Sequence, residues 1–247
     1  MGVIVRVVIV SGYKDSGKTA VVEGLVEEFG DRGYRVGTVK HISQENFTID
    51  QPKSDTWRHM DAGSEVVIAL SSNETAVLRK GKRDLDELLR ELMDLDFVIL
   101  EGFKNVENMV RIVVARDESD VEKLSDEFTI GIVGDIENRE NVFDLSDTSA
   151  IADLVERKSV MPVGRLDCGS CGYSSCREFV LSSIEGEAQT NECVALKESV
   201  YLSIDGKRIP LKPFVKDLIS DTIIGIVSSL KDTEGEKIEI KVEKNGR

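Results

Sequence analysis

Residues 12–19 read G-Y-K-D-S-G-K-T, and their types and spacing match a phosphate-binding P-loop. Glycines at the fixed positions let the backbone turn tightly, so that successive N–H groups point at one anion. We expect Lys18 to meet the β- and γ-phosphates and the Thr19 hydroxyl to ligate Mg²⁺. A glycine-containing loop without function is the alternative, but an apolar strand pattern precedes the segment and a helical pattern follows it. The predicted nucleoside triphosphate site comprises Gly12, Tyr13, Lys14, Asp15, Ser16, Gly17, Lys18 and Thr19.

A second candidate group is an acidic residue at the end of a buried strand. The run D-F-V-I-L-E-G ends at Glu101, where a P-loop protein needs a carboxylate that positions Mg²⁺ or the attacking water. We therefore predict Lys18 and Glu101 as the catalytic pair. Asp50 and Asp55, in a polar stretch after the second strand, are candidate switch residues that meet the metal or water. The alternative for all three carboxylates is an ordinary solvent-facing position.

The only four cysteines of the chain fall in one segment with the spacing C-x2-C-x4-C-x16-C. Four thiolates can hold Zn²⁺ or a [4Fe–4S] cluster. Zinc ribbons usually present two separate C-x-x-C pairs, whereas here three thiolates are close and the fourth is remote, which favours the cluster. Free structural thiols are the third alternative. The predicted ligands are Cys168, Cys171, Cys176 and Cys193.

Other signals for a ligand are weak. No guanine-reading Asn/Thr-Lys-x-Asp motif is present where a Ras-like GTPase carries one, so these residues leave the base open. The two histidines, His41 and His59, are too few for a histidine metal site, although His41 at a strand end is placed to touch phosphate.

The overall charge limits the class of partner. The chain has 247 residues and carries 46 acidic against 32 basic side chains, a net charge of −14. This balance disfavours nonspecific binding to nucleic acid and to anionic membranes. No apolar run approaches about 20 residues, and the first strand leads directly into the P-loop. We expect a cytoplasmic protein without nucleic-acid or membrane partners and without disulfides.

Strand and helix patterns alternate through the first part of the chain. This predicts an α/β domain, a three-layer P-loop NTPase with a mainly parallel sheet. Residues 41–61 are polar with little periodicity. The predicted strands are 3–10, 34–40, 66–70, 75–78, 97–100, 110–115 and 129–133, and the predicted helices are 19–29, 85–93 and 148–157.

Three regions follow from this pattern: a nucleotide-binding domain at 1–158, a small four-cysteine iron–sulfur module at 165–195 and a small α+β unit at 198–247. In the last region, alternating residues at 200–204 and 209–211 flank Asp205-Gly206, a hairpin turn signal. Residues 214–230 form an amphipathic helix whose apolar stripe we expect in the core. Alternation at 238–242 predicts a last strand.

Residues 3–157 resemble the MobB family, the molybdopterin-guanine dinucleotide biosynthesis adapter proteins. The resemblance rests on an ordered series after the P-loop: V-K-H at 39–41, F-T-I-D at 47–50, D-T-W-R-H at 55–59, A-G at 62–63 and L-E-G-F-K at 100–104. One position departs, because Lys53 stands after Pro52 where the family commonly has glycine. A loop that needs a positive φ there would be altered.

The resemblance implies a GTPase-related protein that binds GTP, hydrolyses it weakly and often dimerises. It also implies a partner, a MobA-type molybdenum cofactor guanylyltransferase or a molybdoenzyme maturation protein. The segment D-C-G-S-C-G-Y-S-S-C at 167–176, with E-G-E-A before Cys193, resembles a [4Fe–4S] module of corrinoid iron–sulfur proteins and electron-transport B subunits. A redox-linked ATPase and a nucleotide-switched carrier of metal or cluster remain the alternative functions.

Overall fold

The computed structural model describes residues 5–160, 167–188, 193, 200, 202–204, 207–209, 211–231, 235, 238–240 and 242. The chain forms two compact units: Met1–Pro162 with Val180–Ala188, and Val163–Phe179 with Gln189–Arg247. The domain bounds expected at 158, 165–195 and 198 stay predictions. Among the described residues, no helix has the length and apolar character needed to span a membrane.

The first unit is built on strands and helices that alternate along the chain. In chain order these are β1 (Arg6–Gly12), α1 (Lys18–Asp31), β2 (Val36–Lys40), α2 (Asp55–Asp61), β3 (Val66–Leu70), β4 (Thr75–Arg79), α3 (Leu85–Glu91), β5 (Phe97–Glu101), β6 (Arg111–Val114), α4 (Glu118–Leu124), β7 (Thr129–Val133), β8 (Val142–Phe143) and α5 (Thr148–Lys158).

Six of these strands form one sheet in the order β2-β5-β1-β6-β7-β8. Every pair in it is parallel, which confirms the predicted sheet type. Strands β1 and β5 are almost wholly buried because their runs of Val, Ile, Leu and Phe are covered on both faces. All six carboxyl ends lie at one edge, where open α/β sheets bind their ligands.

Helices cover both faces of the sheet. A Cβ added at Gly131 in β7 would lie 2.9 Å from Leu154 of α5, so this position faces α5. The next residue, Ile132, packs in a cluster with Val121 and Leu124 of α4. Since successive strand residues point to opposite faces, α4 and α5 lie on opposite sides. The predicted three layers are therefore present.

Strands β3 and β4 do not join this sheet. They pair antiparallel with each other, with Val66 opposite Arg79 and Leu70 opposite Thr75. Both strands were predicted, but α2, α4 and β8 were not. Helix α2 lies in the stretch at 41–61 for which we found little periodicity.

The second unit contains short elements and one long helix. Helix α6 (Cys176–Glu185) begins in it, β9 (Ser203–Ile204) pairs antiparallel with β10 (Lys207–Arg208), and α7 spans Pro213–Val227. The antiparallel pair confirms the predicted hairpin, whose turn residues Asp205 and Gly206 lie outside the described residues. Residues 238–240 are not in a strand, so the predicted last strand is wrong for this part.

The prediction that the apolar stripe of α7 is core is also wrong. Lys216 is the single buried residue among those described in this helix. Helical periodicity identifies an apolar face but does not determine what covers it. The exposed apolar residues of the helix and the turn after it are Phe214, Leu218, Ile224, Ile226 and Leu230.

Candidate functional site

The P-loop connects the carboxyl end of β1 to the start of α1. Asp15 and Gly17 have left-handed backbone conformations, with φ of 60° and 94°, and such turns form anion-binding concavities. The N-cap residue of helix α1 is Gly17, which has no side chain that could bond the first N–H groups of the helix. These N–H groups are therefore open to an anion. The loop therefore has the backbone form of a phosphate site.

Gly12 is required by the packing of the loop. A Cβ at this position would lie 2.6 Å from the Val114 carbonyl oxygen and 2.5 Å from Ser16 Oγ. The end of β1 thus approaches the end of β6 more closely than any side chain permits. This contact fixes the entry of the chain into the loop.

The side chain of Lys18 is turned back into the loop. Its ammonium donates to the carbonyl oxygen of Tyr13. Burial lowers the pKa of this ammonium below its usual 10.5; Glu101 opposes the shift, and Lys104 and Lys40 add to it. Lys18 is therefore in an electrostatic group with two carboxylates, Glu101 and Asp15, and two further lysines.

Glu101 lies at the end of β5, between β1 and β2, and is 8% exposed. Its Oε1 atom accepts a hydrogen bond from Thr19 Oγ1 at 3.2 Å and forms an ion pair with Lys40 Nζ at 2.9 Å. The alternative of a solvent-facing glutamate does not hold. The structure brings Lys18, Thr19 and Glu101 together, as the spacing in sequence predicted.

Five buried polar side-chain atoms have no hydrogen-bond partner in the described part of the chain, and two of them, both oxygens, lie in predicted ligand-binding segments. Ser16 Oγ in the P-loop and Asp50 Oδ2 in the loop after β2 are inaccessible and unbonded within the part of the chain that the structure describes. Buried polar atoms are normally satisfied, so such atoms fit a missing polar ligand. The residues present fit a phosphate at the P-loop and a cation at Asp50.

Asp50 is bound within its own loop rather than to the P-loop. Its Oδ1 accepts from Ser54 Oγ at 2.8 Å and from Thr56 Oγ1 at 3.0 Å. Burial raises the pKa of Asp50, but bonds from Thr56, Ser54 and the Gln51 amide outweigh this and hold the pKa below its usual value. The structure thus keeps Asp50 ionised but does not bring it against Thr19 or Glu101.

Lys53, at the position where the family has glycine, keeps a positive φ of 75°. A positive φ is therefore present at this position without a glycine. The next residue, Ser54, caps α2 by accepting from the Trp57 amide at 3.0 Å. Asp55 lies on the surface of α2, with its side chain 88% exposed, as an ordinary carboxylate would.

Three cations near the P-loop had no role in the sequence prediction. Lys40 pairs with Glu101, Lys104 Nζ lies 3.8 Å from the centroid of the Tyr13 ring, and the Arg116 guanidinium is 5.4 Å from the same ring. Each follows or ends a strand at the ligand-binding edge, and that position is the signal by which they could have been found. His41, which we expected to touch phosphate, packs edge-on against Phe103, with 5.4 Å between the ring centroids.

The cysteine segment winds through left-handed residues. Asp167, Gly169 and Gly172 have φ of 41°, 67° and 89°. Burial raises the pKa of the Cys168 thiol, but hydrogen bonds from Ser170 outweigh this and lower it, which favours the thiolate.

The donor chemistry of this segment suits a metal cluster, but the structure does not assemble it. Three of the cysteines are half-buried and Cys193 is buried. Within the described ranges no three Cys, His, Asp or Glu side chains are grouped closely enough to hold a metal ion. The predicted four-cysteine ligand set therefore stays a prediction.

The fold and the P-loop define this chain as an α/β protein of the P-loop NTPase type. Residues 7–135 match the family model "Molybdopterin guanine dinucleotide synthesis protein B", MobB, and the chain belongs to this family. Residues 165–195 match a second model, "Putative Fe-S cluster". The resemblance to MobB and the fusion to an iron–sulfur segment are thus confirmed.

Relatives cover the chain to different extents. A Methanocaldococcus jannaschii protein, "Putative molybdopterin-guanine dinucleotide biosynthesis adapter protein", is 35% identical over 243 residues, 96% of this chain and 97% of the relative. The Escherichia coli adapter protein is 28% identical over 59% of this chain and 88% of its own length. The crystal structure of Bacillus subtilis MobB is 25% identical with a TM-score of 0.52, covering 61% of this chain and 96% of that one.

Proposed function

We propose that this chain is an adapter protein of molybdopterin guanine dinucleotide biosynthesis, for molybdenum or tungsten cofactors, that binds GTP with Mg²⁺ and hydrolyses GTP slowly. The observation that carries the proposal is the hydrogen bond between Thr19 of the P-loop and the buried Glu101, in a chain of the MobB family. The M. jannaschii relative named as such an adapter has nearly the same length.

Each residue of the site has a separate task in this proposal. Lys18 neutralises charge on the phosphates, and Thr19 and Glu101 are the groups that would hold Mg²⁺; Asp50 would join them only if its loop moved towards the P-loop on nucleotide binding. The ion supplies charge neutralisation for the phosphates when bound. Glu101 is also placed to orient a water molecule. Hydrolysis is slow because Arg116, beside the P-loop, is held by Asp120 at 2.7 Å rather than free to act on the phosphates.

The proposed protein partners are a MobA-type guanylyltransferase or a molybdoenzyme maturation protein, and a second copy of this chain. The hairpin β3–β4 supports contact with a protein, because Ile68 and Leu70 are 61% and 80% exposed on it. Contiguous exposed apolar side chains mark interaction surfaces.

We further propose that Cys168, Cys171, Cys176 and Cys193 bind a [4Fe–4S] cluster. The match of residues 165–195 to an iron–sulfur model supports it.

The same match favours a second candidate function, a redox-linked ATPase. In that case the reduction potential of the cluster should shift on nucleotide binding, whereas for the adapter we expect no shift.

Lys18→Ala tests the nucleotide site directly. We expect it to abolish GTP binding, measured by equilibrium titration, because it removes the P-loop charge. Unchanged affinity would refute the assignment.

Deletion of the gene tests the biosynthetic role. The pterin cofactor of the deletion strain should contain less of the guanine dinucleotide form than that of the parent, and a plasmid copy should restore it. Normal levels of that form in the deletion strain would be incompatible with the proposal.

A further inference from the structure

We propose that Lys40 and Lys104 bind the terminal phosphate of the nucleotide and, with Lys18, form a three-lysine phosphate cradle. The proposal rests on the nucleotide-binding function above and adds to it two residues outside the P-loop. Lys40 comes from the end of β2, and Lys104 from the loop after β5.

The register of β2 against β5 places Lys40 beside the P-loop. It pairs with Glu101 across β2 and β5, and its ammonium lies 2.9 Å from Glu101 Oε1. Thr19 Oγ1 bonds the same oxygen at 3.2 Å, so the ammonium and the predicted Mg²⁺-ligating hydroxyl are neighbours. The Lys40 side chain is 55% exposed, so that Lys40 lies at the surface of the site although its partner Glu101 is buried.

Lys104 lies in the loop after β5, and the guanidinium of Arg111 holds the backbone of this loop. Its ammonium lies 3.8 Å from the Tyr13 ring, directly on the P-loop. The buried guanidinium of Arg111 donates to the Lys104 carbonyl oxygen at 3.1 Å and pairs with Asp126, so the backbone beside Lys104 is held. An aromatic face binds an ammonium more weakly than a phosphate oxygen does, and an arriving phosphate would therefore compete for it.

The charges around Lys18 are unbalanced. Three ammonium groups, Lys18, Lys40 and Lys104, face the carboxylates of Glu101 and Asp15. The whole chain carries a net charge of −14, so an isolated positive site at the mouth of a P-loop has to be explained. Three ammonium groups against two carboxylates leave one positive charge, which a phosphate group of the nucleotide would neutralise.

The alternative is a structural role. In that case Lys40 only neutralises the buried Glu101, and Lys104 only packs on Tyr13. Replacement would then lower stability and would weaken triphosphate and diphosphate binding equally. Direct contact with the terminal phosphate instead predicts a loss confined to the triphosphate.

The test measures dissociation constants of fluorescent N-methylanthraniloyl GTP and GDP for wild type, Lys40→Met and Lys104→Met, with excess Mg²⁺. We expect each variant to weaken GTP binding about tenfold and GDP binding less than about threefold, since a charged hydrogen bond is lost with one ligand only. Lys80→Met, which removes an exposed lysine of the β3–β4 hairpin, is the charge-matched control and should change neither constant. The same constants are measured for the ATP and ADP derivatives, so that a preference of the protein for adenine is not mistaken for a failure of the phosphate proposal.

Equal weakening of both nucleotides, or no weakening, would overturn the proposal. If Lys40→Met does not fold because Glu101 is left unpaired, the double variant Lys40→Met/Glu101→Gln removes both charges, and its ratio of GTP to GDP affinity is compared with that of Glu101→Gln alone; an equal ratio in the two variants would overturn the role of Lys40. Failure of the nucleotide function itself would appear separately, as a wild-type protein that binds neither nucleotide.

Discussion

At the scale of single residues, the closest approach in the site is at Gly12. A Cβ there would lie 2.6 Å from the Val114 carbonyl oxygen, a backbone atom that cannot rotate away. Gly12→Ala must therefore displace the end of β1 or β6. We expect GTP affinity to fall by more than about tenfold in equilibrium titration, because phosphate contacts depend on the placement of backbone N–H groups.

The matched control for this substitution is Gly30→Ala in α1. Apart from its chain neighbours and the backbone of its own helix, no atom lies within 4 Å of an added Cβ at Gly30. Alanine is favoured in helices, so this variant should gain about 0.5–1 kcal/mol in free energy of unfolding and keep its GTP affinity. If both variants bind GTP normally, the close packing at Gly12 has no functional role.

Lys53 offers a second prediction at this scale. Its φ of 75° is unfavourable for a residue with a Cβ. Lys53→Gly should therefore raise the free energy of unfolding by up to about 1 kcal/mol, less the entropy that glycine adds to the unfolded chain. Urea unfolding measures it. Gln51→Gly, at a position without positive φ, should instead lower stability; a loss in both variants would contradict strain at Lys53.

The site was predictable where residue types act locally. The P-loop and Glu101 follow from short patterns, and the structure joins them as those patterns require. Lys40 was assigned no task because its contact depends on the register of β2 against β5, which brings it opposite Glu101. Lys104 lies on Tyr13 because β5 and β1 are neighbours in the sheet, so that the segments after these two strands start side by side. Neither relation is contained in local sequence.

At the scale of elements, α4 depends on one buried carboxylate. Asp120 accepts bonds from the Arg116 side chain at 2.7 Å and 2.9 Å and from the Arg116 amide at 3.1 Å. The guanidinium bond, against the opposing effect of burial, lowers the pKa of Asp120 from 3.8 to about 2. A carboxylate with a depressed pKa stabilises the fold above its unfolded pKa and loses that contribution as the pH falls toward the folded one.

The prediction concerns the difference in unfolding free energy between wild type and Asp120→Asn. This difference should be constant above about pH 5 and shrink as the pH falls from about 4 to 2. Denaturant unfolding at a series of pH values measures it. Asp94→Asn removes a carboxylate that is 75% exposed and 3.5 Å from Arg35, and should show no such window. A difference for Asp120→Asn that is independent of pH would refute the role of its charge.

Elements with strong periodicity were predicted and weak ones were not. Strands β1, β5 and β7 were predicted from their apolar runs. Helices α1 and α5 were predicted from the helical spacing of their apolar residues. Helices α2 and α4 have 7 residues with only two apolar side chains each, whereas α3, of the same length, has three leucines and was predicted. Strand β8 has only 2 residues. Helix α7 was found, but its environment was not, because an amphipathic pattern does not specify a packing partner.

At the scale of the whole molecule, the two candidate sites lie in different compact units. The P-loop belongs to the unit that contains Met1–Pro162, and all four cysteines belong to the unit formed by Val163–Phe179 and Gln189–Arg247. The E. coli relative matches 59% of the chain, whereas the M. jannaschii relative matches 96%. Nucleotide binding therefore should not require the cysteine segment.

Cys171→Ala tests this separation together with the proposed cluster. In protein purified without oxygen, we expect the variant to lose most of its iron, its acid-labile sulfide and its visible absorption, because one thiolate ligand is missing. Its GTP dissociation constant should stay within about twofold of wild type, a change below about 0.5 kcal/mol. Ser174→Ala, a neighbouring substitution that removes no thiolate, should keep the cluster. If the wild-type protein contains zinc and no sulfide, the cysteines form a zinc site and the cluster proposal is wrong. If the variant loses GTP binding, the cysteine segment supports the nucleotide site and the two sites are not separate.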